Sequence, residues 1–190
     1  MNHTALIIID IQNDYFPGGA LPLEAPEAAA SNAAKLLQSF REQGLPVIHI
    51  RHAMPAEMQI PYLVSGSPGA EIHPSVAPLP EEDVFTKQFP SAFSAPEFGA
   101  LLQAQGIKNL LICGMMTHMC VSATARAAME RGFKVSIIQD ACTTRALEFK
   151  GKTIPAQTVH EAHLAALHGT VAQVTNLEDL LPAFVSCVPS

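Results

Sequence analysis

The sequence has no tryptophan, 6% aromatic residues and 15% charged residues among its 190 positions. Soluble proteins average about 25% charged residues, and 48% of this chain is hydrophobic. A composition so poor in charge and rich in apolar residues excludes a disordered tail. Basic runs are absent: 11 Lys and Arg stand against 17 Asp and Glu, giving a net charge of −6. Phosphate neutralisation therefore has no footing, and nucleic acid is excluded as a partner. The apolar strings fall well short of the roughly 18–20 residues of a membrane span. Asp10 stands where the apolar core of a signal peptide would continue. Four cysteines, Cys113, Cys120, Cys142 and Cys187, are spaced irregularly with no C-x-x-C pair, so neither a zinc nor a dithiol pattern is present. A reduced, cytoplasmic chain is expected. The low charge further suggests that partner subunits cover part of the surface.

Short apolar runs alternate with helix-period stretches. Ala5–Ile9 is continuously apolar, as a strand buried on both faces requires. Ala33, Leu36, Leu37 and Phe40 mark one helical face, with Gly44 beyond its end. Val47–Ile50 reads as a second strand and Asp83–Thr86 as a weaker third. Ser94-Ala95-Pro96-Glu97 has the spacing of a capping box ahead of Phe98, Leu101 and Leu102, and Gly106 stops that helix. Leu110–Cys113 is a fourth strand, followed by a helix from about Met119 to Arg131. Val135–Ile138, a helix near Thr158–His168 and a strand at Val171–Val174 complete the pattern. The expectation is one α/β domain over residues 1–190, with a six-stranded, mainly parallel sheet between helical layers. Residues 52–80 carry six prolines and little periodicity, the mark of a functional loop or interface arm.

Ligands of open α/β sheets bind beyond the carboxyl ends of the strands. Asp10 follows strand one, Lys87 follows strand three, and Cys120 follows strand four near a helix N-terminus. An acid, a base and a thiol thus converge if those strands lie close. A helix N-terminus and a nearby cation lower a thiol pKa from about 8.5 by one or more units, so a depressed value is expected for Cys120. Asp10 can carry the thiol proton to a leaving amine, and the Gly114–Met116 turn can offer amide N–H groups to an oxyanion. Each residue has a plainer reading. Cysteine is often inert core, the reading given to Cys113, Cys142 and Cys187; Asp10 can end a strand; Lys87 can be a solvated charge.

Asp10-Ile11-Gln12-Asn13-Asp14-Tyr15-Phe16, Lys87-Gln88-Phe89-Pro90-Ser91-Ala92-Phe93 and Gly114-Met115-Met116-Thr117-His118-Met119-Cys120-Val121 occur in that order. Together they resemble the signatures of the isochorismatase-like cysteine hydrolases, and the likeness runs from about Ala5 to Leu181. The resemblance implies a Rossmann-like three-layer α/β/α fold and a catalytic triad of Asp10, Lys87 and Cys120. It also implies a Met115–Met116 cis peptide, an oxyanion hole from the Met116 and Cys120 amides, and a homo-oligomer of two or more chains. Nicotinamidases of this family carry a metal behind an Asp-x-His pair after strand two. Here Arg51-His52-Ala53 follows that strand without the Asp, leaving His49, His52 and His73 as the donors from which a metal site would have to be built. No metal and no cofactor are expected. Retention of Cys120 favours cleavage of an amide or imide-like C–N bond in a small molecule over the vinyl-ether chemistry of isochorismatases. Asp140–Thr144 and Thr158–His160 look most like the amidase branch, including streptothricin-hydrolase-like members. A metal-assisted hydrolase, or a binding protein that keeps the fold, are the alternatives.

Gln12, Phe16, Phe89, Phe93, Thr117 and His118 flank these motifs and are the candidates for substrate contact, with core packing the competing role for the aromatic rings. Gly151-Lys152-Thr153 lacks the first glycine and the preceding strand of a P-loop. His160-Glu161-Ala162-His163 spaces its histidines by three rather than four, which favours a structural role.

Overall fold

A computed structural model describes residues 3–180. Cys187, expected to be a bystander, lies outside them. Six parallel strands form one sheet: β1 (Thr4–Ile9), β2 (Val47–His52), β3 (Asp83–Lys87), β4 (Asn109–Met115), β5 (Lys134–Thr143) and β8 (Gln173–Thr175). Their spatial order is β3-β2-β1-β4-β5-β8. β6 (Leu147–Phe149) and β7 (Lys152–Ile154) pair separately as an antiparallel hairpin. That hairpin contains the Gly151-Lys152-Thr153 stretch, so the P-loop reading has no structural counterpart.

Both faces of the sheet are covered. Ala5, Ile7 and Ile9 of β1 join one apolar cluster, while Leu6 and Ile8 join the other. Residues i and i+2 of a strand share a face, so burial on both faces accounts for the unbroken apolar run. The first cluster includes Phe98 and Leu102 of α2 (Pro96–Ala104), Ala125 and Ala128 of α3 (Ser122–Glu130), and Leu164 and Leu167 of α4 (Ala156–Leu167). The second is capped by α1 (Pro26–Glu42) through Ala29, Ala30, Ala33, Leu36, Leu37 and Phe40. Each large apolar side chain buried there contributes about 1.5–3 kcal/mol. Pro26 begins α1, Glu27 lies in its first turn and Arg41 in its last, in keeping with the helix dipole.

Several boundaries differ from expectation for local reasons. Ser94 does not cap α2; its hydroxyl donates to Ser91 O at 2.7 Å, and Ala95 takes the cap position. Val171 and Ala172 fold back onto Leu167 O, so the last strand begins at Gln173 rather than Val171. β5 runs on to Thr143, past a register shift beside Cys113. The loop 52–80 is tied down by the segment after β1. Asp14 Oδ2 accepts from Leu63 N at 2.6 Å, Asn13 Nδ2 donates to Pro68 O at 2.8 Å, and His73 N donates to Ile11 O at 2.8 Å. A Cβ on Gly69 would lie 2.1 Å from the Asp14 carboxylate, so this loop closes on Asp14 only because residue 69 is glycine.

Candidate active site

Strand register assembles the site. Ile9 of β1 stands beside Ile50 of β2 and Gly114 of β4, and His52 ends β2 directly beside Lys87 of β3. β2 therefore lies between the strands that supply Asp10 and Lys87. Neighbouring strands are about 4.8 Å apart, so the lysine must extend past the end of β2 to reach the acid. Asp10 leaves β1 with φ 49°, a left-handed conformation that Asp tolerates better than most residues. At Gly114, φ is +126° and a Cβ would sit 1.9 Å from Ile9 O; only glycine lets β4 approach β1 this closely. The Met115–Met116 peptide is cis, as the resemblance implies. Thr117–Val121 then winds as a π-helical turn, with Val121 N donating to Met116 O at 3.3 Å, before α3 begins. The expected single helix from Met119 is thus two pieces. π-turns of this kind recur at functional sites, and this one carries Cys120.

Asp10, Lys87 and Cys120 meet as the strand-end reading expects, and all three are buried. Lys87 Nζ donates to Asp10 Oδ2 at 2.7 Å and to Cys120 Sγ at 3.2 Å. It also donates to His52 Nδ1 at 2.8 Å. Asp10 Oδ1 is buried without a hydrogen-bond partner, leaving one carboxylate oxygen free to take a proton. Burial acts to lower the Lys87 pKa, but Asp10 and Cys120 outweigh it and raise the value. The expected depression of the Cys120 thiol is not found. Burial, then the Asp10 carboxylate, push it up, and Lys87 recovers only part of the difference. Desolvation, which penalises a second buried anion, favours the thiol form of Cys120 beside the unpartnered carboxylate oxygen.

The three histidines from which a metal site would have to be built go to different places. His49 Nε2 meets Glu82 at 3.0 Å, His73 stacks on Phe16 with centroids 3.7 Å apart, and His52 alone joins the site. Among the described residues, Asp10, His52 and Cys120 form a group whose ligand atoms lie within 4.8 Å of one another. The Lys87 ammonium bonds to all three, so a positive charge already stands among them.

The substrate-contact candidates divide. Gln12 is fully buried in structural bonds: Nε2 donates to His52 O at 2.7 Å and to Ala70 O at 2.6 Å, and Oε1 accepts from His52 N at 2.8 Å. Phe93 packs on Phe98 and Phe133 with Arg131 over its ring, which makes it core rather than a pocket wall. Phe89 is 66% exposed. Phe16 lines a cleft of about 390 Å³ with Asn13, Pro68 and His73, and none of the triad candidates lines it. Thr117 Oγ1 donates to Thr143 O at 3.1 Å, which leaves it to accept from His160 Nδ1 at 2.9 Å. His118 bonds Thr144 through Nδ1 and meets His163 edge-on; burial first, then His163 and Arg145, bring its pKa down to about 4. These two residues brace the turn against β5 and α4, and His160 and His163 thereby acquire the structural role expected of them.

Two nearby residues are absent from the sequence-based site. His52 was noted only as a metal donor, because the apolar pattern ends β2 at Ile50. Tyr15 is buried, and burial, then its proximity to Asp10 and Cys120, push its phenol well up.

Known proteins resemble this chain in sequence and fold. The isochorismatase domain model matches residues 4–179. The uncharacterized isochorismatase family protein YddQ of Bacillus subtilis is 46% identical over 94% of this chain and 98% of its own length. Maleamate amidohydrolase of Pseudomonas putida is 31% identical over 93% of this chain and 84% of its own. A solved structure from Oleispira antarctica, assigned to the isochorismatase hydrolases, superposes with TM-score 0.91 at 45% identity, covering 95% of this chain and 97% of that one. A cysteine hydrolase from Pseudomonas syringae superposes with TM-score 0.90 at 25% identity, covering 98% and 94%. The chain belongs to the isochorismatase family of hydrolases.

Proposed function

We propose that the chain is an amidohydrolase that cleaves a C–N bond of a small amide or imide-like molecule through a thioester on Cys120. The observation that carries this reading is the buried Lys87 ammonium bonded to both Asp10 Oδ2 and Cys120 Sγ, with Asp10 Oδ1 unpartnered. Asp10 takes the proton from the thiol, and the thiolate sulfur attacks the substrate carbonyl carbon. The oxygen that becomes negative is received by the Met116 and Cys120 amide N–H groups. Asp10 then gives its proton to the departing nitrogen, the C–N bond breaks, and ammonia or an amine leaves. Water enters, Asp10 takes one of its protons, and the hydroxyl oxygen bonds to the thioester carbon. Sulfur departs and recovers the proton, so amide plus water becomes acid plus ammonia or amine. Lys87 stays charged throughout and orients the acid and the sulfur.

Maleamate amidohydrolase and streptothricin hydrolase among the relatives support the C–N preference. Streptothricin hydrolase is 36% identical, but the matched part is 49% of its length. Free thiols at Cys113, Cys120 and Cys142 support a reducing, cytoplasmic setting, and no helix among the described residues is long and apolar enough to cross a membrane. Exposed Phe89 and Met119, in the segments after β3 and β4, support a homo-oligomer that covers them. The test is an ammonia-release screen over maleamate, ureidoacrylate, other small amides and cyclic imides, with Cys120→Ala as the control. Turnover that disappears in Cys120→Ala is expected; full activity in that variant refutes the covalent route.

A further inference from the structure

We propose that His52 is a positioning residue of this site: its Nδ1 accepts the third N–H of the Lys87 ammonium and holds that charge between Asp10 and Cys120. The inference rests on the catalytic reading of those three residues. Strand order creates the contact, since a lysine reaching from β3 to the end of β1 must pass the last residue of β2, and that residue is His52. An ammonium has three donors and no acceptor. Its partners here are Asp10 Oδ2 at 2.7 Å, His52 Nδ1 at 2.8 Å and Cys120 Sγ at 3.2 Å. Lys87 is 2% exposed, so an N–H left without its partner would bear the full cost of desolvation.

The contact also fixes the tautomer. A ring nitrogen that accepts from an ammonium carries no proton, so the imidazole proton resides on Nε2, which lies 3.3 Å from Met54 Sδ. Gln12 binds both the N–H and the carbonyl of His52, so the ring hangs from a fixed main chain. The groups facing it are Lys87 from β3, Asp10 after β1, Cys120 Sγ at 3.9 Å from Nδ1, the Met54 thioether and the main chain of Gln88. Burial first, then the Lys87 cation, lower the His52 pKa against smaller opposing effects of Asp10 and the Gln88 main chain. The ring therefore stays neutral and able to accept.

Two measurements on the full chain test this. Long-range 15N imidazole NMR, with His52 assigned by its loss in His52→Asn, should find the Nε2–H tautomer at neutral pH; an Nδ1–H or doubly protonated ring overturns the proposal. The second is alkylation of Cys120 by iodoacetamide across pH, read by mass, with Cys120→Ala as the blank. Without its acceptor the Lys87 charge is less favoured, and so is a thiolate beside it. His52→Leu should raise the apparent thiol pKa by about one unit and slow labelling about tenfold at a fixed pH below it. Asparagine places a side-chain oxygen near the Nδ1 position, so His52→Asn should restore most of the rate. In a Lys87→Met background the two substitutions should label alike. Equal rates for His52→Leu and His52→Asn with Lys87 present overturn the proposal, as does a difference between them that survives the loss of Lys87. Should His52→Leu or the Lys87→Met variants fail to fold, the tautomer in the unaltered chain decides alone. Neither readout needs turnover, so an inactive amide panel would sink the proposed reaction without touching this result.

Discussion

Lys87→Met should unfold the protein more readily than any change to the proposed nucleophile. Both side chains of the Lys87–Asp10 pair are 0% exposed, with Nζ and Oδ2 2.7 Å apart. At an effective dielectric constant of about 20, two unit charges at that distance attract by roughly 6 kcal/mol. Most of that attraction offsets the desolvation of the two ions, so the net contribution of the intact pair is small. Removing one partner is different, because Asp10 would stay buried with neither of its oxygens bonded to Lys87. The expected loss is about 3–5 kcal/mol, a large share of the 5–15 kcal/mol typical of a domain. Cys120→Ala takes away an uncharged thiol and should cost about 1 kcal/mol.

Urea denaturation followed by circular dichroism measures both. Asp10→Asn removes the stranded charge, so Asp10→Asn with Lys87→Met should be more stable than the two separate losses predict. The reasoning is refuted if Lys87→Met lies within about 1 kcal/mol of the unaltered chain at neutral pH, a cost typical of an ordinary point substitution. Strict additivity in the double variant would refute it equally.

Three further outcomes follow from other parts of the molecule. Burial pushes the Glu82 carboxyl up, but Arg41, the Leu79 N–H and His49 bring it down to about 2. A depressed carboxyl stabilises the fold above its unfolded value and loses that contribution as pH falls from about 4.5 through about 2, roughly 3 kcal/mol for this shift; Glu82→Gln should flatten denaturation midpoints across that window and be less stable at neutral pH. Gln12→Ala should strand His52 N–H, His52 O and Ala70 O, with a loss of about 1–3 kcal/mol per unsatisfied group at most and faster proteolysis within residues 52–80. Gly114→Ala should yield insoluble protein on expression, because its Cβ would meet the Ile9 backbone at 1.9 Å; soluble, active Gly114→Ala would contradict the close approach of β1 and β4.

The sequence discloses features that depend on local pattern and hides those that depend on register. β1 and β4 are legible because strands apolar on both faces leave unbroken runs, and β2 because only His49 interrupts Val47–Ile50. The β6–β7 hairpin is not, since three-residue strands with mostly exposed side chains carry no alternation. Asp10, Lys87 and Cys120 are legible as reactive residues at strand ends. His52 is not, because its role requires knowing that β2 stands between β1 and β3 and runs two residues past Ile50. Phe93 and Gln12 illustrate the reverse error: adjacency to a motif in the chain suggested substrate contact, while their side chains are spent on the core and on the main chain of the site.

The direction of the Cys120 shift has the same origin and bears on mechanism. A helix N-terminus and a lysine are visible in sequence, and both favour a thiolate; the depth of burial and the neighbouring carboxylate are not visible, and both oppose it. With His52 neutral, a thiol at Cys120 leaves one anion and one cation in the cluster. A thiolate formed while Asp10 remained ionised would put two anions beside one ammonium in a buried site, which low dielectric penalises heavily. Transfer of the proton from sulfur to Asp10 Oδ1 keeps the cluster neutral before and after, exchanging one anion for the other around a stationary Lys87. In the proposed reaction the nucleophile is therefore made on demand rather than stored, and the unpartnered oxygen of Asp10 is the atom that makes it.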